Sequence, residues 1–329
     1  MKSFMLTERE YEELLKAKDL NEAFKKLAET IYAPYFKDVR EIPWLEVEKR
    51  LTRALSDIYN KVIEMAPKKA REFLDLVEKR LEIETLKQLI RGCISGLPKD
   101  ETMKIVIPMG EFNIEFCQEF LSKDLKEAIE LIKNEEIKKI LEIKLPLYEK
   151  YKTTTPLEVA LDQYILNKLM NTAKTLPKLD RKYCEHLIGI EIDSINITVI
   201  IRGKAMKLKV KDIKDMMIPT SYKLKKEIDA ALGIDDPLEA YKQLASGHYI
   251  GKLPLRVNSI EEVEKAVKKL IINESHKIFV TYPFHTGLLY AFMNLKYYEV
   301  KDIRTILMGK YLNIKEDFIR EHLLYAYKW

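Results

Sequence analysis

The stretch Asp193-Ser194-Ile195-Asn196-Ile197-Thr198-Val199-Ile200-Ile201-Arg202-Gly203 sets an acid, then a small polar residue three positions on, then Ile197, Ile200 and Ile201. An arginine stands directly before its closing glycine. Apolar residues at steps of three and four form one face of a helix, so the stretch predicts a helix carrying polar groups at fixed positions. The same order occurs twice more. With Gly92, Gly203 and Gly309 as anchors, 111 and 106 residues apart, the acid ten positions earlier is Glu82, Asp193 and Glu299. The small polar residue seven earlier is Thr85, Asn196 and Asp302. The residue one before is Arg91, Arg202 and then Met308, which breaks the pattern.

Other markers keep step. Leu20-Asn21-Glu22-Ala23-Phe24, Leu125-Lys126-Glu127-Ala128-Ile129 and Leu238-Glu239-Ala240-Tyr241 each predict an amphipathic helix. Trp44-Leu45-Glu46-Val47, Pro156-Leu157-Glu158-Val159 and Ser259-Ile260-Glu261-Glu262-Val263 open another, 46 to 49 residues before each glycine. Ile107-Pro108 and Ile218-Pro219 put a proline 16 residues after the first two anchors, where the third copy has position 325. Four residues past each anchor come Gly96, Lys207 and Asn313. Gly and Asn suit the left-handed residue that closes a helix. Lys207 suits it poorly, so the second copy is expected to end differently. The ordered set predicts an all-α chain of three similar helical domains, 1–105, 106–216 and 217–329.

Composition agrees. Apolar residues make up 47% and charged residues 33% of the 329, and only 10 are glycine, which disfavours tight-turned β structure. The Lys and Glu content leans towards a thermophile. Cys93, Cys117 and Cys184 are odd in number and irregular in spacing, which suits a reducing compartment better than a disulfide framework. No apolar run reaches the roughly 18–20 residues of a membrane helix, and no signal peptide opens the chain. A net charge of +5 is too small to argue for nucleic acid.

Catalytic signatures are missing. Arg202-Gly203-Lys204-Ala205 lacks the first glycine and the hydroxyl of a phosphate-cradling loop. Cys184-Glu185-His186 offers two ligand types where zinc needs three or four, and reads as a half-buried thiol beside a surface imidazole. His248, His276, His285 and His322 are expected at the surface or at helix ends, and Tyr282-Pro283-Phe284 as a core plug. No catalytic, cofactor-binding or metal residue is assigned. The acids Glu82, Asp193 and Glu299 recur once per copy, which points to a structural role, either capping a helix or pairing with Arg91 and Arg202. The lysine run from Lys204 to Lys214, continuing through Lys223, Lys225 and Lys226, has only Tyr222 for aromatic interleaving. It reads as a solvated face, with an acidic protein partner as the next reading. On these features alone, a helical-repeat adaptor or scaffold stands as the alternative function.

Laid out in this way, the chain resembles, over essentially its whole length, the family that unites the C subunits of archaeal A-type ATP synthases with the d subunits of V-type ATPases. The resemblance rests on Asp193-Ser194-Ile195-Asn196-Ile197 through Arg202, its relative from Glu82 to Arg91, and Glu299-Val300-Lys301-Asp302-Ile303-Arg304. Glu82 and Thr85 stand where the family pattern prefers Asp and Asn. Family members carry a further N-terminal segment, aromatic and arginine-containing, before the equivalent of Met1-Lys2-Ser3, and this start is expected to be truncated or misassigned. The resemblance implies a funnel of three domains about a pseudo-threefold axis, with no reaction of its own. It implies a role as a central-stalk socket, coupling a shaft (the D subunit, with F) to the membrane proteolipid ring for proton or sodium transport and ATP synthesis. It also implies a peripheral place on the cytoplasmic membrane face, with no cofactor, no nucleic acid and no direct lipid insertion.

Overall fold

Polar side chains that favour helix starts stand where helices begin. Thr7, Asp19, Asn113, Asp124, Asn134 and Asp236 each accept a backbone N–H from the turn that follows. Thr7 and Glu10 cap each other reciprocally, and Pro237 occupies a first-turn position where its missing N–H costs nothing. In the computed structural model, which describes residues 2–37, 39–40, 42–103, 105–280 and 285–324, the described residues form seventeen α-helices, one short 3₁₀ turn and no strand. Two isolated bridges are the nearest approach to a sheet.

The chain divides into two compact units, one made of Met1–Glu78 with Ser275–Trp329 and the other of Lys79–Glu274. The first opens with α1 (Glu8–Lys16), α2 (Leu20–Leu27), α3 (Ala33–Phe36), α4 (Trp44–Met65) and the start of α5 (Lys68–Ile94). The second takes the rest of α5, then α6 (Lys99–Met103), α7 (Ile114–Phe120), α8 (Leu125–Glu130), α9 (Glu135–Tyr151) and α10 (Thr155–Ala173). It continues with α11 (Lys178–Ala205), α12 (Val210–Met216), α13 (Lys225–Leu232), α14 (Pro237–Ala245) and most of α15 (Ile260–Phe279). The first unit is completed by the end of α15, α16 (Thr286–Tyr311) and α17 (Glu316–His322).

Each unit is built around one helix that is buried on nearly every side. In the second unit it is α11, against which α10, α12 and α14 pack. Leu187, Ile188, Ile190, Ile197, Ile200 and Ile201 are all inaccessible to solvent. In the first it is α16, packed by α2, α4 and α17, with Tyr290 edge-on to Phe73 of α5 at 5.3 Å between ring centres. A helix that is apolar all round belongs in a core. Burying each Ile or Leu contributes about 1.5–3 kcal/mol. Both central helices also carry polar side chains inside that core: Asp193, Asn196, Glu299 and Asp302 are at most 1% exposed. Such groups persist only where their bonds are met.

Candidate functional site

The three anchor glycines are each the third residue from the end of a long helix: Gly92 in α5, Gly203 in α11 and Gly309 in α16. Each is crossed by a residue ten positions further on, carried by the short helix that follows. A Cβ at Gly92 would lie 2.3 Å from Thr102 Cγ2, one at Gly203 2.7 Å from Ile213 Cγ1, and one at Gly309 2.4 Å from Ile319 Cδ1. Only glycine allows that approach.

Beyond each helix the backbone turns left-handed at the same place, with φ of 71° at Gly96, 55° at Lys207 and 55° at Asn313. The Leu208 amide then donates to the Gly203 carbonyl at 2.9 Å and the Ile314 amide to that of Gly309 at 2.8 Å, the six-residue closure of a Schellman turn. After α5 a serine substitutes: the Leu97 amide donates to Ser95 Oγ at 3.2 Å, and Ser95 Oγ donates to the Gly92 carbonyl at 2.9 Å. Lys207 thus closes its helix as Asn313 does, contrary to the expectation of a different ending. The hydrogen bonds of the turn outweigh the ~1–2 kcal/mol that a β-carbon costs there.

The small polar residues each hold the segment that returns 22 residues later. Thr85 Oγ1 donates to the Ile107 carbonyl at 2.7 Å. Asn196 donates to the Ile218 carbonyl at 3.2 Å and accepts from the Ile218 amide at 2.9 Å. Asp302 accepts from the Leu324 amide at 2.7 Å. Position 325, which matches Pro108 and Pro219 in the third copy, lies outside the described residues, as do Tyr282-Pro283-Phe284.

Two of the acids are built alike. Asp193 accepts the Tyr222 and Lys223 amides at 2.7 and 2.8 Å and the Tyr249 hydroxyl at 2.7 Å. Glu299 accepts the Leu6 amide at 2.7 Å and the Tyr32 hydroxyl at 2.8 Å. Lys296, wholly buried beside it, also donates to Glu299 and to the Phe4 carbonyl at 2.6 Å. Burial pushes the Asp193 carboxyl up against these donors, and burial pushes the Lys296 ammonium down against the pull of Glu299. Glu82 is half-buried and lies against Gly110, whose φ is 55° and where a Cβ would fall 2.0 Å from Glu82 Oε1. Neither tyrosine was singled out in the sequence, because the bonds span 56 and 267 residues. A tyrosine placed eight or nine residues after each repeated Ala-Phe or Ala-Tyr pair was the only signal.

The arginines correct another expectation. Arg91 stands nine residues from Glu82 in α5, and Arg202 nine from Asp193 in α11, about 13 Å along a helix. Each reaches a glutamate on another helix: Arg91 pairs with Glu158 of α10 at 2.9 Å and Arg202 with Glu264 of α15 at 2.6 Å. In α16, Met308 takes the matching position and Arg304 pairs with Glu48 of α4 at 2.7 Å. Burial pushes the Glu48 carboxyl up, opposed by Arg304.

The remaining candidates hold no reacting centre. Cys184 is fully buried, which pushes its thiol up, whereas the sequence suggested half-burial. His186 is part-buried and held by Tyr222 at 3.1 Å and Glu274 at 2.9 Å. His285 caps α16, accepting from the Leu288 amide at 3.0 Å, and His276 lies in the last turn of α15, at a helix end as expected, but buried there. Among the described residues, no three His, Cys, Asp or Glu side chains gather as a metal-holding group, and no helix is long and apolar enough to cross a membrane.

The chain is 29% identical over 323 residues to a Methanocaldococcus jannaschii protein named as the C subunit of an A-type ATP synthase, covering 95% of this chain and 80% of that one. It is 26% identical to the protein of the same name from Methanosphaera stadtmanae, covering 97% and 84%. It is 23% identical to that from Pyrococcus horikoshii, covering 93% and 82%. Residues 1–322 match the family described as ATP synthase (C/AC39) subunit. With that match over nearly its whole length, the chain belongs to the ATP synthase (C/AC39) subunit family.

Proposed function

We propose that this chain is the non-catalytic central-stalk socket of an A-type rotary ATP synthase, coupling a rotating shaft to the membrane proteolipid ring. Its partners are the D subunit of the shaft, with F, at one end and the ring at the other. It sits peripherally on the cytoplasmic membrane face and inserts no segment into lipid. The match over residues 1–322 carries this reading, and the common name of the relatives supports it.

The reading includes a triplicated build, in stretches 1–105, 106–216 and 217–329. The recurring glycine, left-handed turn and 22-residue hydrogen bond at three helix ends support it. A coupler needs stiffness, and close-packed helices with their polar core groups bonded transmit strain with little compression.

The test is co-purification with D and F, followed by flotation with ring-containing and protein-free liposomes. A stable complex with the two shaft proteins, and flotation only with the ring, is expected. Equal flotation with both liposomes, or no complex with D and F, would overturn the socket reading.

A further inference from the structure

Residues 204–226 contain eight lysines and two aspartates, a larger excess than the net +5 of the whole chain. The fold does not use most of that charge. Lys204 is buried, donating to the Leu232 carbonyl at 2.5 Å, while Lys207, Lys209, Lys211, Lys225 and Lys226 are exposed and, among the described residues, in no ion pair. Both aspartates face lysines from outside the stretch: Asp212 is held by Lys150 at 3.0 Å and by Tyr151, and Lys144 donates to the carbonyl of Asp215.

The lysines also stand where folding alone disfavours them. Lys209 is the N-cap of α12, Lys211 lies in its first turn, and Lys225 and Lys226 open α13. A helix start carries partial positive charge and favours acids. All three short helices after the anchor glycines begin at a lysine: Lys99, Lys209 and Lys315. However, α6 and α17 follow it with two adjacent acids, Asp100-Glu101 and Glu316-Asp317, where α12 has Lys211 beside Asp212 and α13 has Lys225 and Lys226 before Glu227. Between α12 and α13 lies an open cleft of about 230 Å³ lined by Lys214, Lys225, Thr220, Ser221, Met217 and Ile228. Asp229 also lines it and pairs with Lys214 at 3.5 Å, which leaves Lys225 as its unpaired cation among the described residues.

We infer that this basic face and its cleft dock an acidic segment of a protein partner, the carboxylates lying between α12 and α13. Nucleic acid is the poorer fit. Tyr222, the one aromatic residue in the stretch, is bonded to His186 and covered by Lys223 at 4.8 Å, so it offers no stacking platform. A lipid surface calls for a broader apolar face than Met206 and Val210 provide. The inference does not depend on the central-stalk reading.

The full chain is titrated into a labelled polyglutamate peptide, labelled oligo-dT, and phosphatidylglycerol vesicles at rising salt. Polyglutamate should bind, weakening as salt screens the contacts. Lys209→Glu with Lys225→Glu should weaken it about tenfold or more, whereas Lys68→Glu with Lys69→Glu, the same charge change in the other unit, should leave it within about twofold. The first pair places acids at helix starts, so it should melt no earlier than the parent chain, which separates lost binding from lost fold. Equal weakening by both pairs, or tighter binding of oligo-dT or vesicles than of polyglutamate, would overturn the inference.

Discussion

At Gly203 the chain forgoes up to ~1 kcal/mol of helix propensity relative to alanine and gains a close crossing. Carbon atoms rest about 3.5–4 Å apart, yet a Cβ there would lie 2.7 Å from Ile213 Cγ1 and 3.0 Å from Cδ1. At Gly309 the overlap is deeper, at 2.4 and 2.5 Å from Ile319. Forced overlap costs about 1–3 kcal/mol, so overpacking wins over propensity. Gly203→Ala and Gly309→Ala should both lower the urea midpoint, Gly309→Ala by more. Ile213→Ala opens the space, so in a double-mutant cycle Gly203→Ala should cost less on that background. Additive costs would mean that the crossing is looser than described.

At the scale of elements, what was legible in the sequence is what a helix enforces locally. Ile197, Ile200 and Ile201 share a buried face because 3.6 residues make a turn, and Asn313 closes its helix because its side chain tolerates left-handed backbone. Joints between helices were not legible. Arg91 finds Glu158 67 residues away, and no periodicity links them. Arg304 sits four residues before Met308, so counting from the glycine missed the cation that serves α16. These joints should differ in strength. Arg91 is 52% exposed in its side chain and Glu158 16%, and without Arg91 the Glu158 carboxylate keeps the Thr154 hydroxyl as a donor at 2.6 Å, so Arg91→Met should cost about 1 kcal/mol. The Glu48 side chain is 7% exposed, and without Arg304 its carboxylate would be buried unpaired. Arg304→Met should therefore cost about 3 kcal/mol, and Arg304→Met with Glu48→Met should recover much of it. Denaturant unfolding of the three variants checks the order, and similar costs for Arg91→Met and Arg304→Met would contradict the burial argument.

Across the whole molecule, both units keep tyrosine hydroxyls out of water, and this sets how the chain meets alkali. Burial pushes Tyr11 and Tyr32 of the first unit far up, with Asp302 and Glu299 adding to the shift. In the second unit burial pushes Tyr249 far up, reinforced by Asp193, and pushes Tyr241 up to about 12. An unfolded tyrosine ionises near ~10. Above that pH the folded state therefore holds more protons than the unfolded state, and stability falls as pH rises. Lys296 acts in the opposite sense, because its folded value is depressed and the unfolded chain binds the extra proton up to ~10.4. Burial depresses Lys144 and Lys310 in the same sense, though both are less enclosed than Lys296, so the lysines offset only part of what the four tyrosines impose. The urea midpoint should thus fall steadily from about pH 9.5 upward, each tyrosine adding about 1.4 kcal/mol per pH unit once its unfolded form ionises. Tyrosinate absorbance should rise in two stages, the exposed rings titrating first and the buried ones only as the chain unfolds. Tyr32→Phe removes one proton from the difference, so its midpoint should fall less steeply with pH, although it starts lower for want of the bond to Glu299. A midpoint level through this range, or a single-stage rise in absorbance while the helices persist by circular dichroism, would show that the buried hydroxyls ionise in place.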